Sequence, residues 1–149
     1  MAADLGQRQG HLISGDGTRL FWRAWPVPEP KAVVAVVHGL GEHSGRYERL
    51  ATGLNARGFG CCAVDLRGMG RSDGRRGHVD RWRQWVDDCA AFHDLAVEQA
   101  RGVEVVPLGH SFGGVVVATA VLDGAVRPRR LVLSNPAFRP AVKVPAWKF

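Results

Sequence analysis

Val103-Glu104-Val105-Val106-Pro107-Leu108-Gly109-His110-Ser111-Phe112-Gly113-Gly114-Val115-Val116-Val117 is the stretch that decides the fold. A β-branched run enters G-x-S-x-G and an apolar run of helical length leaves it, so strand, sharp turn and helix follow one another with a serine at the turn. Gly109 and Gly113, two residues before and two after, remove side chains that would collide in such a turn. The hydroxyl of Ser111 is thereby lifted above the sheet edge, where a nucleophile belongs. The following helix aims its amino terminus, with the backbone N–H of Phe112, at negative charge developing beside that hydroxyl.

Working outward, strands and helices alternate. Leu12 to Trp25, broken by the turn composition Ser14-Gly15-Asp16-Gly17, predicts a hairpin whose second strand is Arg19 to Trp25. Ala32 to Val37 and Gly60 to Asp65 are short apolar runs suited to central strands of a parallel sheet. Tyr47, Leu50, Ala51 and Leu54 recur at helical spacing before Gly58, predicting a helix over residues 46–57. A second helix is expected from about Asp80 to Gln99, with Trp82, Trp85, Val86, Cys89, Phe92 and Ala96 on its apolar face. Strand 103–108, helix 112–122 and strand 130–134 complete the series. The expected class is α/β, a mostly parallel sheet with helices on both faces, stopping after about the sixth strand with Leu131 to Leu133 as an unprotected edge.

A chain of 149 residues that is 46% hydrophobic and 23% charged fits one globular domain over residues 1–149 and excludes a disordered chain. The net charge is +6, from 20 Lys and Arg against 14 Asp and Glu. The excess arginines lie among glycines and acids without aromatic stacking platforms, so nucleic acid is not an expected partner. Three cysteines, two adjacent at Cys61-Cys62, form neither a disulfide framework nor a metal-ligand spacing. Without an apolar leader or a membrane-length run, a cytosolic protein is expected, with peripheral membrane contact as the alternative.

Two further motifs fall at predicted strand ends, where ligands of open α/β sheets bind. His38-Gly39-Leu40-Gly41-Glu42-His43-Ser44-Gly45-Arg46-Tyr47 contains H-G-x-G, a loop suited to supply a second oxyanion donor from the N–H of Leu40. A dinucleotide fingerprint fails there on spacing, because the third glycine would fall at Ser44. His38 and His43 are more simply structural or solvated histidines than proton carriers. Asp65-Leu66-Arg67-Gly68-Met69-Gly70-Arg71-Ser72 begins with a carboxylate expected to accept backbone donors of the glycine-rich turn after it. His110, beside the serine at a turn where neighbouring side chains diverge, is not expected to reach the Ser111 hydroxyl.

In this order, H-G-L-G-E-H-S-G-R-Y, D-L-R-G-M-G-R-S-D-G and G-H-S-F-G-G resemble the α/β-hydrolase superfamily. E-H-S-G-R-Y at 42–47 and R-G-H-V at 76–79 narrow the resemblance to its monoacylglycerol lipase and lysophospholipase branch, of serine aminopeptidase S33 type. The resemblance implies Ser111 as nucleophile, the N–H groups of Leu40 and Phe112 as oxyanion hole, and His38, Gly39, Gly109 and Gly113 as its supporting loops. It implies a lipid or small ester substrate and calls for no metal or organic cofactor. The family's triad Asp and His follow the serine along the chain, and the sequence given holds neither; residues 136–149 resemble the entry to the family's cap. Expected alternatives are a non-catalytic fragment or split-protein half that binds lipid or a partner, and another capped hydrolase: an esterase, perhydrolase or peptidase.

Overall fold

Alternation along two central strands sets the layers of the molecule, whose computed structural model describes residues 6–139. The strands are β1 (Arg8–Ile13), β2 (Arg19–Trp25), β3 (Val33–Val37), β4 (Gly60–Val64), β5 (Val105–His110) and β6 (Val132–Ser134). The helices are α1 (Glu48–Asn55), α2 (Arg83–Ala100) and α3 (Phe112–Leu122). Val34 and Val36 of β3, with Cys61 and Ala63 of β4, pack against Trp25 and against Ala51 of α1. Ala35, Val37, Cys62 and Val64 face the other way, into a larger core with Trp85, Val86 and Phe92 of α2 and Val116 and Val117 of α3. A period of two therefore buries both sides of each strand, as a parallel sheet between helical layers requires. It also points Cys61 and Cys62 to opposite faces. All three thiols are free and buried, and burial pushes those of Cys61 and Cys89 up to about 12.

The sheet order is β1-β2-β4-β3-β5-β6. β1 and β2 are antiparallel, β2 joins β4 antiparallel, and β4, β3, β5 and β6 run parallel. The expected mixed, mostly parallel sheet is thus observed. β6 is an outer strand, with Val132 exposed at its start and Leu131 exposed just before it. Among the described residues no helix is long and apolar enough to cross a membrane. Of the expected cap entry at 136–149, residues 140–149 lie outside the described residues.

Several boundaries differ from the sequence expectation, and two of them have tertiary reasons. The helix predicted over 46–57 is a 3₁₀ turn, Ser44–Tyr47, followed by α1. The turn is pinned from outside, because the Asp65 carboxylate accepts the Ser44 N–H at 2.6 Å. The strand predicted over 103–108 runs instead from Val105 to His110. The Val103 N–H is taken by the Ala100 carbonyl, closing α2, while pairing of His110 with Ser134 of β6 extends the far end.

One buried ionic cluster ties the amino-terminal hairpin to this frame. The Arg67 guanidinium, 5% exposed, donates Nε–H and Nη2–H to the two Asp88 oxygens at 2.7 and 2.6 Å. It reaches Asp16 in the hairpin turn at 2.5 and 3.0 Å. The Ser14 hydroxyl donates to Asp88 at 2.5 Å, and the Trp85 indole N–H to the Arg67 carbonyl at 3.3 Å. Arg67→Met leaves the Asp88 carboxylate buried without its cation, which should cost about 3–5 kcal/mol. Urea unfolding followed by tryptophan fluorescence should show that loss as a lower midpoint at unchanged slope, and Arg67→Met combined with Asp88→Leu should recover part of it. Hydrogen bonding from Arg67 holds the Asp16 carboxyl well below the usual carboxylate range. Its contribution is therefore present above the unfolded-state value of about 3.9 and is lost as pH falls through the folded one. Asp16→Asn should flatten that acid limb of an unfolding-versus-pH curve.

Candidate active site

The turn between β5 and α3 holds Ser111 at φ 52°, ψ −117°, backbone space that non-glycine residues rarely occupy. Its N–H donates to the Ser134 carbonyl at 3.0 Å, and its carbonyl accepts the N–H groups of Gly114 and Ala137, each at 3.0 Å. Close packing explains the flanking glycines. A Cβ at Gly113 would run into the Val37 and His38 carbonyls at the end of β3, and one at Gly109 would lie 2.6 Å from the Gly113 carbonyl oxygen. The Phe112 N–H is the first of α3 and has no carbonyl one turn back to receive it. The Phe112 ring is held edge-on by Trp82 and Trp85, at 5.6 and 4.8 Å between centroids. Sequence reading placed both tryptophans on a helix face and missed that they grip the residue after the serine.

The loop after β3 lies alongside. A Cβ on Gly39 would be 3.4 Å from the Ser111 Cβ, so the H-G-x-G loop and the serine turn touch. Gly39 to Glu42 form a β-turn closed by the Glu42 N–H on the Gly39 carbonyl at 3.2 Å. Gly41 has φ +72° and Leu40 is not in the positive-φ region, the signature of a type II turn. The N–H of Leu40, second residue of the turn, lies outside the closing hydrogen bond and has no acceptor among the described residues. Two donors thus flank Ser111 from two different strand ends.

Both ring nitrogens of His38 are committed. Nε2 accepts the Leu66 N–H at 2.9 Å, so Nδ1 carries the proton and donates to the Gly39 carbonyl at 2.7 Å. The ring is fully buried, and that burial lowers its pKa despite the Gly39 hydrogen bond and nearby carboxylates. His38 is a neutral brace between two loops. Asp65 is a second brace: one oxygen accepts the Ser44 N–H at 2.6 Å and the other the Arg71 N–H at 2.8 Å. The expected bond to the glycine-rich turn is present, and the one to the loop after β3 is additional. His43 is exposed. The His110 ring lies 3.2 Å from the Ser134 hydroxyl. Among the described residues nothing hydrogen-bonds to the Ser111 hydroxyl.

From the sequence, Tyr47 counts only toward the apolar spacing of the helix predicted over 46–57, and Glu42 has no role of its own. Glu42 Oε2 accepts the Gly39 N–H at 2.9 Å and the Tyr47 hydroxyl at 2.9 Å. The carboxylate three residues after the backbone N–H it caps is the spacing of a capping box, a signal present in the sequence. A cavity of about 350 Å³, lined in part by Cys61 and Cys62, opens where β3 and β4 begin. It is at the other end of the sheet from these loops.

The family model described as Serine aminopeptidase, S33 matches residues 28–149. The human monoglyceride lipase is 40% identical over 148 residues, covering 93% of this chain and 48% of that protein. A monoacylglycerol lipase of Mycolicibacterium smegmatis is 36% identical, covering 87% and 47%. The crystal structure of a soluble variant of the Saccharomyces cerevisiae monoglyceride lipase superposes with a TM-score of 0.75 at 24% identity, covering 85% of this chain and 44% of that one. The chain spans about half the length of the curated relatives it matches. With the fold, the strand–serine–helix turn and this family match together, the chain belongs to the serine aminopeptidase S33 family and has the α/β-hydrolase fold.

Proposed function

We propose that these residues form the nucleophile and oxyanion half of a serine ester hydrolase acting on monoacylglycerols or lysophospholipids. The observation that carries the proposal is Ser111 at φ 52° beside two backbone N–H groups without acceptors among the described residues. In this reading a general base takes the Ser111 hydroxyl proton and later returns it to the leaving alcohol, the Ser111 Oγ attacks the ester carbonyl, and the carbonyl oxygen becomes an oxyanion held by the Leu40 and Phe112 N–H groups. The tetrahedral intermediate then collapses, the glycerol or phosphoglycerol alcohol leaves with a proton, and water hydrolyses the acyl-serine. Similarity to the human monoglyceride lipase and the mycobacterial monoacylglycerol lipase supports the substrate class.

A serine hydroxyl is not appreciably ionised at neutral pH and needs a base. His38 is locked between two loops and the His110 ring lies against Ser134. The base therefore has to come from residues other than those described, and the described half alone is a slow catalyst, down by roughly 10⁴-fold or more from a complete triad. Ester turnover by the 149-residue chain should match that of its Ser111→Ala variant, and a fluorophosphonate probe should label Ser111 slowly or not at all. Fast, serine-dependent turnover would overturn the assignment of a missing base.

Added imidazole supplies a base from solution. Turnover of a short-chain ester should then rise with imidazole in the native chain above the background measured with Ser111→Ala. Leu40→Pro removes one donor while keeping a residue favoured at the second position of a type II turn. It should lower the imidazole-supported rate by roughly 10²–10³-fold. An unchanged rate in Leu40→Pro would remove Leu40 from the oxyanion hole.

A further inference from the structure

The Gly39 carbonyl and the Leu40 N–H belong to one planar peptide unit and point in opposite directions. Whatever fixes that carbonyl therefore also aims that N–H. A glycine on the near side of the unit, and another after Leu40, leave the loop little stiffness of its own. The stiffness is supplied from three directions. His38 Nδ1–H and the Glu42 N–H both donate to the Gly39 carbonyl, at 2.7 and 3.2 Å. On the other side of the same residue, the Gly39 N–H is taken by Glu42 Oε2 at 2.9 Å. Glu42 thus holds Gly39 twice, once through its backbone and once through its side chain.

The carboxylate is itself anchored. The Tyr47 hydroxyl donates to the same Oε2 at 2.9 Å, and Arg46 Nε lies 3.5 Å from Oε1. The Tyr47 ring packs against the core layer that contains Val34, Val36 and Ala51. The loop is therefore tied through one carboxylate to the centre of the sheet. These parts pack closely: a Cβ on Gly39 would press on Glu42 Oε2 at 3.1 Å and touch the Ser111 Cβ at 3.4 Å.

We propose that Glu42, braced by Tyr47, is a positioning residue for the reaction at Ser111: its carboxylate fixes the peptide before Gly39, and through it the direction of the Leu40 N–H. The proposal rests on the reading of Leu40 as an oxyanion donor. It assigns Glu42 no contact with the reacting atoms. Burial of Glu42 opposes its ionisation, but the Gly39 N–H, the Tyr47 hydroxyl and the charges of Arg46 and His110 outweigh it and hold the carboxyl below its ordinary value. The acceptor is thus a carboxylate at neutral pH, and its hydrogen bonds are charge-assisted.

The test uses the 149-residue chain and two readouts. In ¹⁵N relaxation the Leu40 N–H should have an order parameter near the rigid-backbone value of about 0.85, falling toward about 0.6 or below in Glu42→Ala. Glu42→Gln, which keeps an oxygen acceptor, should restore most of the order, and Tyr47→Phe should give an intermediate value. In the imidazole-supported, Ser111-dependent assay, Glu42→Ala should lower kcat by roughly 10²-fold at little-changed KM, as misplacement of a donor does, with Glu42→Gln recovering most of it. A Leu40 N–H as ordered in Glu42→Ala and Tyr47→Phe as in the native chain would overturn the proposal. Should Glu42→Ala fail to fold, Tyr47→Phe with Glu42→Gln reads the same order parameter. An activity unaffected by Leu40→Pro would defeat the oxyanion reading, whereas order lost in Glu42→Ala would still show the clamp on the loop.

Discussion

The start of α3 is seated directly on the end of β3, and the geometry of the whole strand-end region follows from that contact. Gly113 presents backbone to the Val37 and His38 carbonyls where any side chain would collide. A helix brought this close forces the preceding turn to be sharp, which is why Ser111 sits at φ 52°. It also brings the loop leaving β3 against the serine. Strain at Ser111, on the order of 1–3 kcal/mol, is offset by the hydrogen bonds that its N–H and carbonyl make to Ser134, Gly114 and Ala137.

Around this contact, buried polar groups do the work that regular pairing cannot do in loops. His38, Asp65 and Arg67 are all nearly fully buried, and each spans two segments distant in sequence. His38 joins the loops after β3 and β4, Asp65 joins the Ser44 and Arg71 backbones, and Arg67 joins the hairpin turn to α2. Each group is satisfied only when all its partners are in place, so the loops order together with the sheet. A buried donor or acceptor left open would cost about 1–3 kcal/mol. That penalty selects a single arrangement of the loops after β3 and β4.

Elements whose identity rests on local pattern were legible in the sequence. The apolar runs at β3 and β4 and the G-x-S-x-G turn needed no tertiary information, because period and turn chemistry are local. What was not legible depends on contacts across the sheet. The 3₁₀ turn at Ser44–Tyr47 exists because Asp65, 21 residues away, takes the Ser44 N–H, and helical spacing from Tyr47 onward carries no sign of it. The edge-on contacts of Trp82 and Trp85 with Phe112 arise where α2 crosses α3, so the sequence shows three aromatics without their meeting. Glu42 was visible as a carboxylate three residues after Gly39, but only the placement of the Tyr47 hydroxyl on the same oxygen distinguishes a clamp from a solvated acid.

In the proposed reaction, a carboxylate beside a forming oxyanion carries an electrostatic cost that the clamp must outweigh. Two unit charges about 8 Å apart repel by roughly 2 kcal/mol at an effective dielectric near 20, whereas one well-placed oxyanion donor contributes about 2.7–4 kcal/mol. A bare Glu42 at such a separation would offset much of what it positions. Its charge is not bare: Oε2 is covered by two donors, and Oε1 faces the Arg46 guanidinium at 3.5 Å. Arg46 is exposed at 62% of its side chain, so its contact is a loose balance of charge and holds no atom in place. Position is set by Gly39 and Tyr47, which are short and directional, and charge balance by Arg46, which needs neither property. That division would let one carboxylate serve as a rigid acceptor close to the proposed oxyanion.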